Sequence, residues 1–373
     1  MSAAETAGNK VHEFPNQVTG MTAGKTQYPL YDSKPLGFRE YWYPVMFSHQ
    51  LREKKGVGLV LLGQKVALFR SAGRAYAIEN RCVHRGVPLD GSFCDFAGTI
   101  SCPYHGWVYD LANGKVVAAL TDGPDSAVAR GNLGVRTYPL EERGGLIWLF
   151  MGEGDAPPLA EDVPEEFLYD DAAIVGRVTE RPGDWRYAAE NGYDEGHVKY
   201  LHRRGVWTFW RRAPAWGHSK ERETEDGKWL TRDIEEMGWR GEYPGLGTWP
   251  KKNFWRWRPG ARGIRIRLPG TLRVQYGKWA HYEWYVPTVE GHHRYLQFIV
   301  KRTGLLGRLW LNIKYVCYIR PFFHTRFNNQ DAWMVEGMQT PPEILYRPDR
   351  SIVSWRRFVE KHARRQPLNL EDA

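Results

Sequence analysis

The stretches "CVHRG" (82–86) and "CPYHGW" (102–107) decide how this chain is read, because each sets a cysteine two or three residues before a histidine in a turn. Seventeen residues separate His84 from Cys102. Zinc fingers keep their cysteines in one pair and their histidines in another. Here each arm offers one of each. That donor set suits a [2Fe–2S] cluster with two thiolates on one iron and two imidazoles on the other. Gly86 and Gly106 follow the two histidines, where backbone must come close to the cluster and donate N–H bonds to its sulfurs.

Around these loops the sequence is β-rich. "VGLVLLGQKVALFRSAGRAYAIEN" (57–80) breaks short apolar runs with turn pairs such as Gly-Gln and Ala-Gly, and the pattern continues through "GTISCPYHGWVYDLANGKVV" and "GGLIWLFMG". "GEGDAPPLAEDVPEE" (152–166) reads as a linker. Beyond it, "DWRYAAENGYDEGHVKYLH" (184–202) reads as helix with Asp184 as N-cap. "GIRIRLPGTLRVQYG" (263–277) alternates Ile264, Ile266 and Leu268 against Arg265 and Arg267, as a hairpin in a half-exposed antiparallel sheet would. "SIVSWRRFVEKHARR" (351–365) is an amphipathic helix. The expected class is α+β, an all-β domain followed by an α+β domain. The expected divisions are an arm over 1–37, a first domain over 38–155 and a second over 156–373.

The 373 residues suffice for more than one core, and 42% apolar with 25% charged residues is ordinary for a globular chain. Seventeen tryptophans beside 20 tyrosines and 15 phenylalanines point to large cores or an aromatic-lined pocket. Four cysteines are too few for a disulfide scaffold and fit a reducing, cytoplasmic setting. No basic start followed by an apolar stretch is seen in "MSAAETAGNKVHEFPNQ", and no run approaches the ~20 apolar residues of a membrane span. Net charge is +9, with nine Lys or Arg and no acid over 251–278. Trp255, Arg256, Trp257 and Arg258 would serve a nucleic-acid surface, but no nucleic-acid motif accompanies them. A solvated strand face, or a docking surface for an acidic partner or substrate, accounts for the stretch instead. "GLLGRLWLNIKYVCYIR" (304–320) is apolar with interspersed cations. It reads as a core-facing helix, or as one lying on a membrane surface.

"CVHRG…CPYHGW" resembles the signature of the Rieske family. Respiratory-chain members add a cysteine to each loop, where this chain has Val87 and Tyr104. The resemblance is therefore to the ferredoxin-like and oxygenase branch, and Cys82, His84, Cys102 and His105 are the implied cluster ligands. A second set lies in "ENGYDEGHVKYLH" (190–202), with Asp194, His197 and His202. Two imidazoles and a carboxylate on one face of an iron leave positions open for oxygen and substrate. The two histidines are five residues apart, about 140° around a regular helix, so the helix must end or distort between them.

Glu190, Asn191, Asp194, His197 and His202 match the Rieske non-haem iron oxygenases position by position, and "FNNQDAWMVEGMQ" (327–339) supplies the downstream carboxylate at Asp331. The nearest resemblance is to the oxygenase components acting on carbazole and 3-ketosteroids. It implies an α+β catalytic domain of helix-grip type and an Fe(II) held by His197, His202 and Asp331. It gives Asp194 the role of linking an iron-bound histidine to a Rieske histidine of the neighbouring subunit in a homotrimer. It also implies a separate NAD(P)H-dependent reductase, with or without a ferredoxin, since no Gly-x-Gly-x-x-Gly fingerprint is present. The expected reaction is hydroxylation of an apolar aromatic or steroid-like substrate with O2. Oxidative demethylation is the alternative within the family, and a pure Rieske electron carrier the alternative outside it. His49, His218, His281 and His324 lack ligand spacing and receive no role.

Overall fold

A computed structural model describes residues 19–20, 27–194, 196–204, 216–238, 242–248, 262–338 and 343–364. The N-terminal half is built from short antiparallel strands. Val57–Leu61, Gln64–Ser71 and Arg74–Glu79 form one three-stranded sheet, and Thr99–Ser101, Trp107–Asp110 and Val116–Ala119 a second. The first sheet turns at Leu62–Gly63 and Ala72–Gly73, all four residues at positive φ. Two-residue hairpins with that backbone match the right-handed twist of their strands. The first turn thus falls one residue before the expected Gly-Gln pair. These sheets close over a small core of Phe69, Ile78, Leu89, Ile100 and Tyr109 that includes Cys82 and Cys102.

A third sheet, Trp42–Phe47, Leu146–Phe150 and Leu140–Arg143, belongs to a larger core. Its Trp148 meets Phe167 and Trp284 edge to face, with ring centroids 5.8 and 5.9 Å apart. Such contacts add to the area that aromatics bury. The stretch expected as a linker is therefore a packed strap. Leu159 and Val163 are buried, and the Asp162 carboxylate accepts the Trp42 N–H at 3.0 Å and pairs with Arg364 at 2.7 Å.

The second half rests on a seven-stranded antiparallel sheet. Its order is Ala172–Pro182, His292–Arg302, Trp279–Pro287, Thr271–Tyr276, Arg262–Arg267, Leu230–Gly238, Trp216–Glu223. The expected hairpin is present, with Ile266 opposite Leu272, but its arginine face is not solvated. Arg267 is buried, lies 5.2 Å over the Trp229 ring and donates to the Glu161 carbonyl. Arg273 pairs with Glu166 at 2.6 Å. The half-exposed hairpin is corrected here, since Arg267 and Arg273 serve packing between layers, while Lys278 beyond them is exposed. Residues 251–261, with Trp255, Arg256, Trp257 and Arg258, lie outside the described residues.

The helix Trp185–Tyr193 packs on the sheet, its Asp184 N-cap accepting the Arg186 N–H at 2.8 Å. At Gly192 an added Cβ would stand 2.2 Å from the Tyr285 hydroxyl, so only glycine allows this approach. Arg350–His362 forms the C-terminal helix. Of the N-terminal arm, Thr19–Gly20 pairs with Ile344–Leu345, and the stretch around Tyr31 lies against these two helices, with the Tyr31 N–H donating to Glu360 and its ring 6.2 Å from that of Trp185. Among the described residues no helix is long and apolar enough to cross a membrane.

Arg356 ties the C-terminal helix to Trp185–Tyr193. Its guanidinium donates to both Glu190 oxygens, at 2.7 and 3.1 Å, and to Glu343. Both the Arg356 and the Glu190 side chains are buried. Removing one partner of a buried pair leaves the other charge uncompensated. Arg356→Met should therefore cost about 3–5 kcal/mol, read as a lowered urea midpoint, and Glu190→Gln/Arg356→Met should regain much of it.

Candidate metal centres

The two Cys/His loops have the same internal hydrogen bonds. Gly86 N–H donates to the Cys82 carbonyl at 2.8 Å and Cys82 N–H to Val87 at 2.8 Å. Gly106 N–H donates to Cys102 at 3.0 Å and Cys102 N–H to Trp107 at 2.8 Å. Both glycines sit at positive φ, which the tight return requires. The loops thus present a matched pair of arms. Cys82 and Cys102 are buried beside one another, while His84 lies exposed and His105 half-buried at the rim. The histidine rings face each other with Nδ1 atoms 3.1 Å apart, and His84 stacks on Trp107. Burial pushes the Cys102 thiol up, and neighbouring Cys82 adds to it. A thiol pushed up in this way resists ionising as a free group, and metal coordination is what deprotonates it. The donor set fits a mixed thiolate–imidazole [2Fe–2S] cluster. Tyr109, which the sequence did not single out, places its hydroxyl 3.0 Å from Cys82 Sγ.

The second constellation forms where the helix stops. Asp194 leaves helical geometry at ψ 141°, a short helix runs over Gly196–Tyr200, and a tighter 3₁₀ turn follows over Leu201–Arg204. The expected distortion between His197 and His202 is this tightening. The break at Asp194 comes in addition. Asp331 arrives from the helix Asn329–Gly337.

Ligand atoms of His197, His202 and Asp331 all lie within 4.8 Å of one another. Asp331 Oδ1 is 3.3 Å from His202 Nε2 and 3.9 Å from His197 Nε2, and it is buried with no hydrogen bond among the described residues. A buried carboxylate oxygen left bare between two imidazoles is expensive unless a cation belongs there. Each ring is oriented from behind. Asp194 Oδ2 holds His197 Nδ1 at 3.0 Å, and Gln330 Oε1 lies 2.9 Å from His202 Nδ1. Phe327 stacks on His202 at 3.9 Å.

The electrostatics separate the four groups. Burial pushes the Asp331 carboxyl up to about 6, against the pull of His197 and with a further push from Glu283. Burial, then His197, lowers His202 to about 4, which keeps it in the neutral form that binds metals. Burial would also raise Asp194, but its bonds to the His197 ring and to the backbone of His197 and Gly196 hold it at about 2. His197 is raised in turn, Asp194 and then Asp331 outweighing burial. The arrangement is three convergent donors, with Asp194 outside them as a permanently ionised partner.

Behind Asp331 the sequence reading missed a buried network. Glu283 accepts from Tyr285, Tyr295 and Asn328, the last at 2.8 Å. His281 and His324, which were given no role, are buried beside it with rings 5.1 Å apart, and burial lowers both. The only sequence signal was a run of polar residues inside an apolar strand, "WAHYEWYVP".

Family models place these sites in context. Residues 41–139 match the Rieske [2Fe–2S] domain, and residues 150–243 and 246–366 match the homotrimeric ring hydroxylase family. The chain belongs to the Rieske-type ring hydroxylases. The terminal oxygenase component of carbazole 1,9a-dioxygenase from Metapseudomonas resinovorans is 33% identical over 90% of this chain and 93% of its own. The corresponding solved oxygenase from Novosphingobium sp. KA1 superposes with a TM-score of 0.81 at 32% identity, covering 90% of this chain and 96% of that one. A reduced complex between oxygenase and ferredoxin in carbazole 1,9a-dioxygenase superposes at 0.80 with 31% identity, covering 90% and 92%. The protein is accordingly an oxidoreductase, the terminal oxygenase component of a Rieske system, and its family's cofactors are a [2Fe–2S] cluster and a mononuclear iron. A pure electron carrier would not carry the ring-hydroxylase half.

Gln330 gives this site a testable prop. Replacing it with Leu removes the group that orients His202 without touching a donor atom. Gln330→Leu should weaken retention of the mononuclear iron ~10–100-fold in chelator competition, with the cluster absorption unchanged.

Proposed function

We propose that Cys82, His84, Cys102 and His105 hold the cluster and that His197, His202 and Asp331 hold the iron. The observation that carries the reading is the bare, buried Asp331 oxygen facing two oriented imidazoles. When bound, the iron would activate dioxygen for insertion into substrate, using electrons delivered from the cluster.

The rest is done by this chain's own residues. Asp194 and Gln330 keep His197 and His202 turned inward, so the donors are preorganised. Asp194 also remains ionised and has a second oxygen, which among the described residues accepts the Gly196 N–H at 2.8 Å. Across a subunit contact in a homotrimer, that carboxylate would accept the N–H of a neighbouring Rieske histidine and give electrons a short path. Exposed His84 and half-buried His105 are placed for such a contact. The division we propose remains an arm over 1–37, a cluster domain over 38–155 and a catalytic domain over 156–373.

The substrate we propose is an apolar aromatic or polycyclic compound, hydroxylated singly or as a cis-diol, with electrons from NAD(P)H through a reductase and a ferredoxin. The relatives named for carbazole support the class of substrate, and the oxygenase–ferredoxin complexes support the donor. The test is turnover with a surrogate ferredoxin and reductase against polycyclic and steroid panels, with oxygen-18 counted in the product. Formaldehyde release from methoxylated substrates would indicate demethylation instead. His202→Ala should lower iron from three to about two per chain and abolish turnover with the cluster spectrum intact. Turnover at the wild-type rate would refute the ligand assignment.

Two variants probe the path into the site. Tyr109→Phe removes a hydrogen bond to a cluster sulfur, so the cluster potential should fall in a redox titration. Asp194→Asn should keep all irons and the trimer and still accept electrons at the cluster. In single turnover its reduced cluster should then stay reduced when substrate and oxygen are added. Fast reoxidation coupled to product would remove the bridging role.

A further inference from the structure

The segment Leu305–Phe327 shows its apolar side to solvent. It begins as the helix Leu305–Lys314 and widens to π-helix over Tyr315–Phe327, which contains Pro321. One narrow stripe, Leu311, Tyr315, Ile319 and Phe323, packs inward against Ala173, Val175 and Ile299. The expectation of a core-facing helix holds for that stripe alone. Leu305 and Leu306 are 83% exposed, Trp310 64%, and Leu309 and Val316 61% each; Ile313 and Tyr318 are also exposed. Scattered surface leucines need no explanation, but seven large apolar side chains along one segment do.

The charge around this face is one-sided. From Gly291 to Gln330 the chain has no Asp or Glu, and the helical segment carries Arg308, Lys314, Arg320 and Arg326. Lys314, Arg320 and Arg326 are exposed. The carboxylates nearest the helix start, Asp170 and Asp171, are paired with Arg143 and Arg302, each at 3.0 Å. Arg308 donates to the Asp170 carbonyl at 2.5 Å.

The start of this helix lies away from the candidate iron site. This helix packs on the strand Ala172–Pro182 at its Ala173–Val175 end. The helix carrying Asp331 meets the other end, where Val335 packs against Gly183. At about 3.4 Å per residue, ~30 Å separates the two ends of the strand.

We propose that the exposed face of Leu305–Tyr318 is a docking surface for an anionic lipid bilayer. Leucines and a tryptophan rimmed by exposed lysine and arginine match what an interfacial helix presents to headgroups and acyl chains. Docked this way, the protein lies on the membrane and does not span it. The inner stripe continues through Phe323, which stacks on Phe327, and Phe327 stacks on His202. The lipid-facing side and the candidate iron site therefore flank a single segment.

The test uses the full-length holoenzyme and vesicles of phosphatidylcholine with or without phosphatidylglycerol. The enzyme should co-sediment with the anionic vesicles, and partition should fall ~10-fold or more on neutral vesicles or in ~0.5 M salt. Leu309→Glu/Trp310→Glu should abolish partition while cluster absorption and hydrodynamic mass stay unchanged. Lys314→Glu/Arg320→Glu, milder changes at exposed positions, should lose the preference for anionic vesicles. Cys317 is exposed on the same segment, and a fluorophore coupled there should shift to the blue on vesicles. Absence of partition, or equal partition by Leu309→Glu/Trp310→Glu, would overturn the proposal. So would a fall in hydrodynamic mass in that variant, which would show the face to be covered by a second copy of the chain.

Discussion

The site depends on the way the chain breaks at Asp194. A helix that continued regularly from Trp185 would carry His197 and His202 to different faces. Instead the Asp194 backbone turns extended, and its carboxylate caps the next turn by accepting from Gly196, from the His197 backbone and from the His197 ring. One side chain thus ends a helix, starts another and aims an imidazole. Its ionisation is secured by the same bonds, which hold it at about 2 despite burial. The tightening to 3₁₀ geometry at Leu201 then brings His202 round to the same point.

That break is held by contacts on every side. Glu190, four residues earlier, is locked to Arg356 of the C-terminal helix, and Gly192 lets the helix sit directly on Tyr285. Asp331 comes from the far side, beyond a π-helical stretch that Pro321 prevents from continuing as a regular α-helix. Asn328, which directly precedes the Asp331 helix, is fastened to Glu283 on the sheet. The three donors come from two segments more than 120 residues apart, each fastened to the same strands. Rigidity of this kind is what a metal site needs to hold its geometry with positions left open.

The cluster arms obey a different logic. Each is a self-contained loop whose cysteine is buried and whose histidine is left at the rim, with identical backbone bonds at both. Because all four donors come from two short loops on small sheets, nothing distant is needed to assemble them. The aromatic core that joins Trp148, Phe167, Trp284 and Phe298 fixes how this cluster-bearing half sits on the catalytic sheet.

What the sequence by itself determined follows from this contrast. The paired Cys/His loops, the β-rich first half and the Asp184 cap were legible because local spacing carries them, whereas the Asp194, His197 and His202 set rested on a family resemblance, its five-residue spacing lying off one helical face. Asp331 needed a family resemblance, since a lone acid at a helix start has no local signature. The tertiary structure alone decided the partners: Gln330 behind His202, the Glu283 network, and the use of Arg267 and Arg273 in packing between layers. It alone decided which side of Leu305–Tyr318 faces outward. Side-chain periodicity says that a helix has two faces. Which of them is buried depends on what the sheet leaves uncovered, and that is settled only when distant strands have closed.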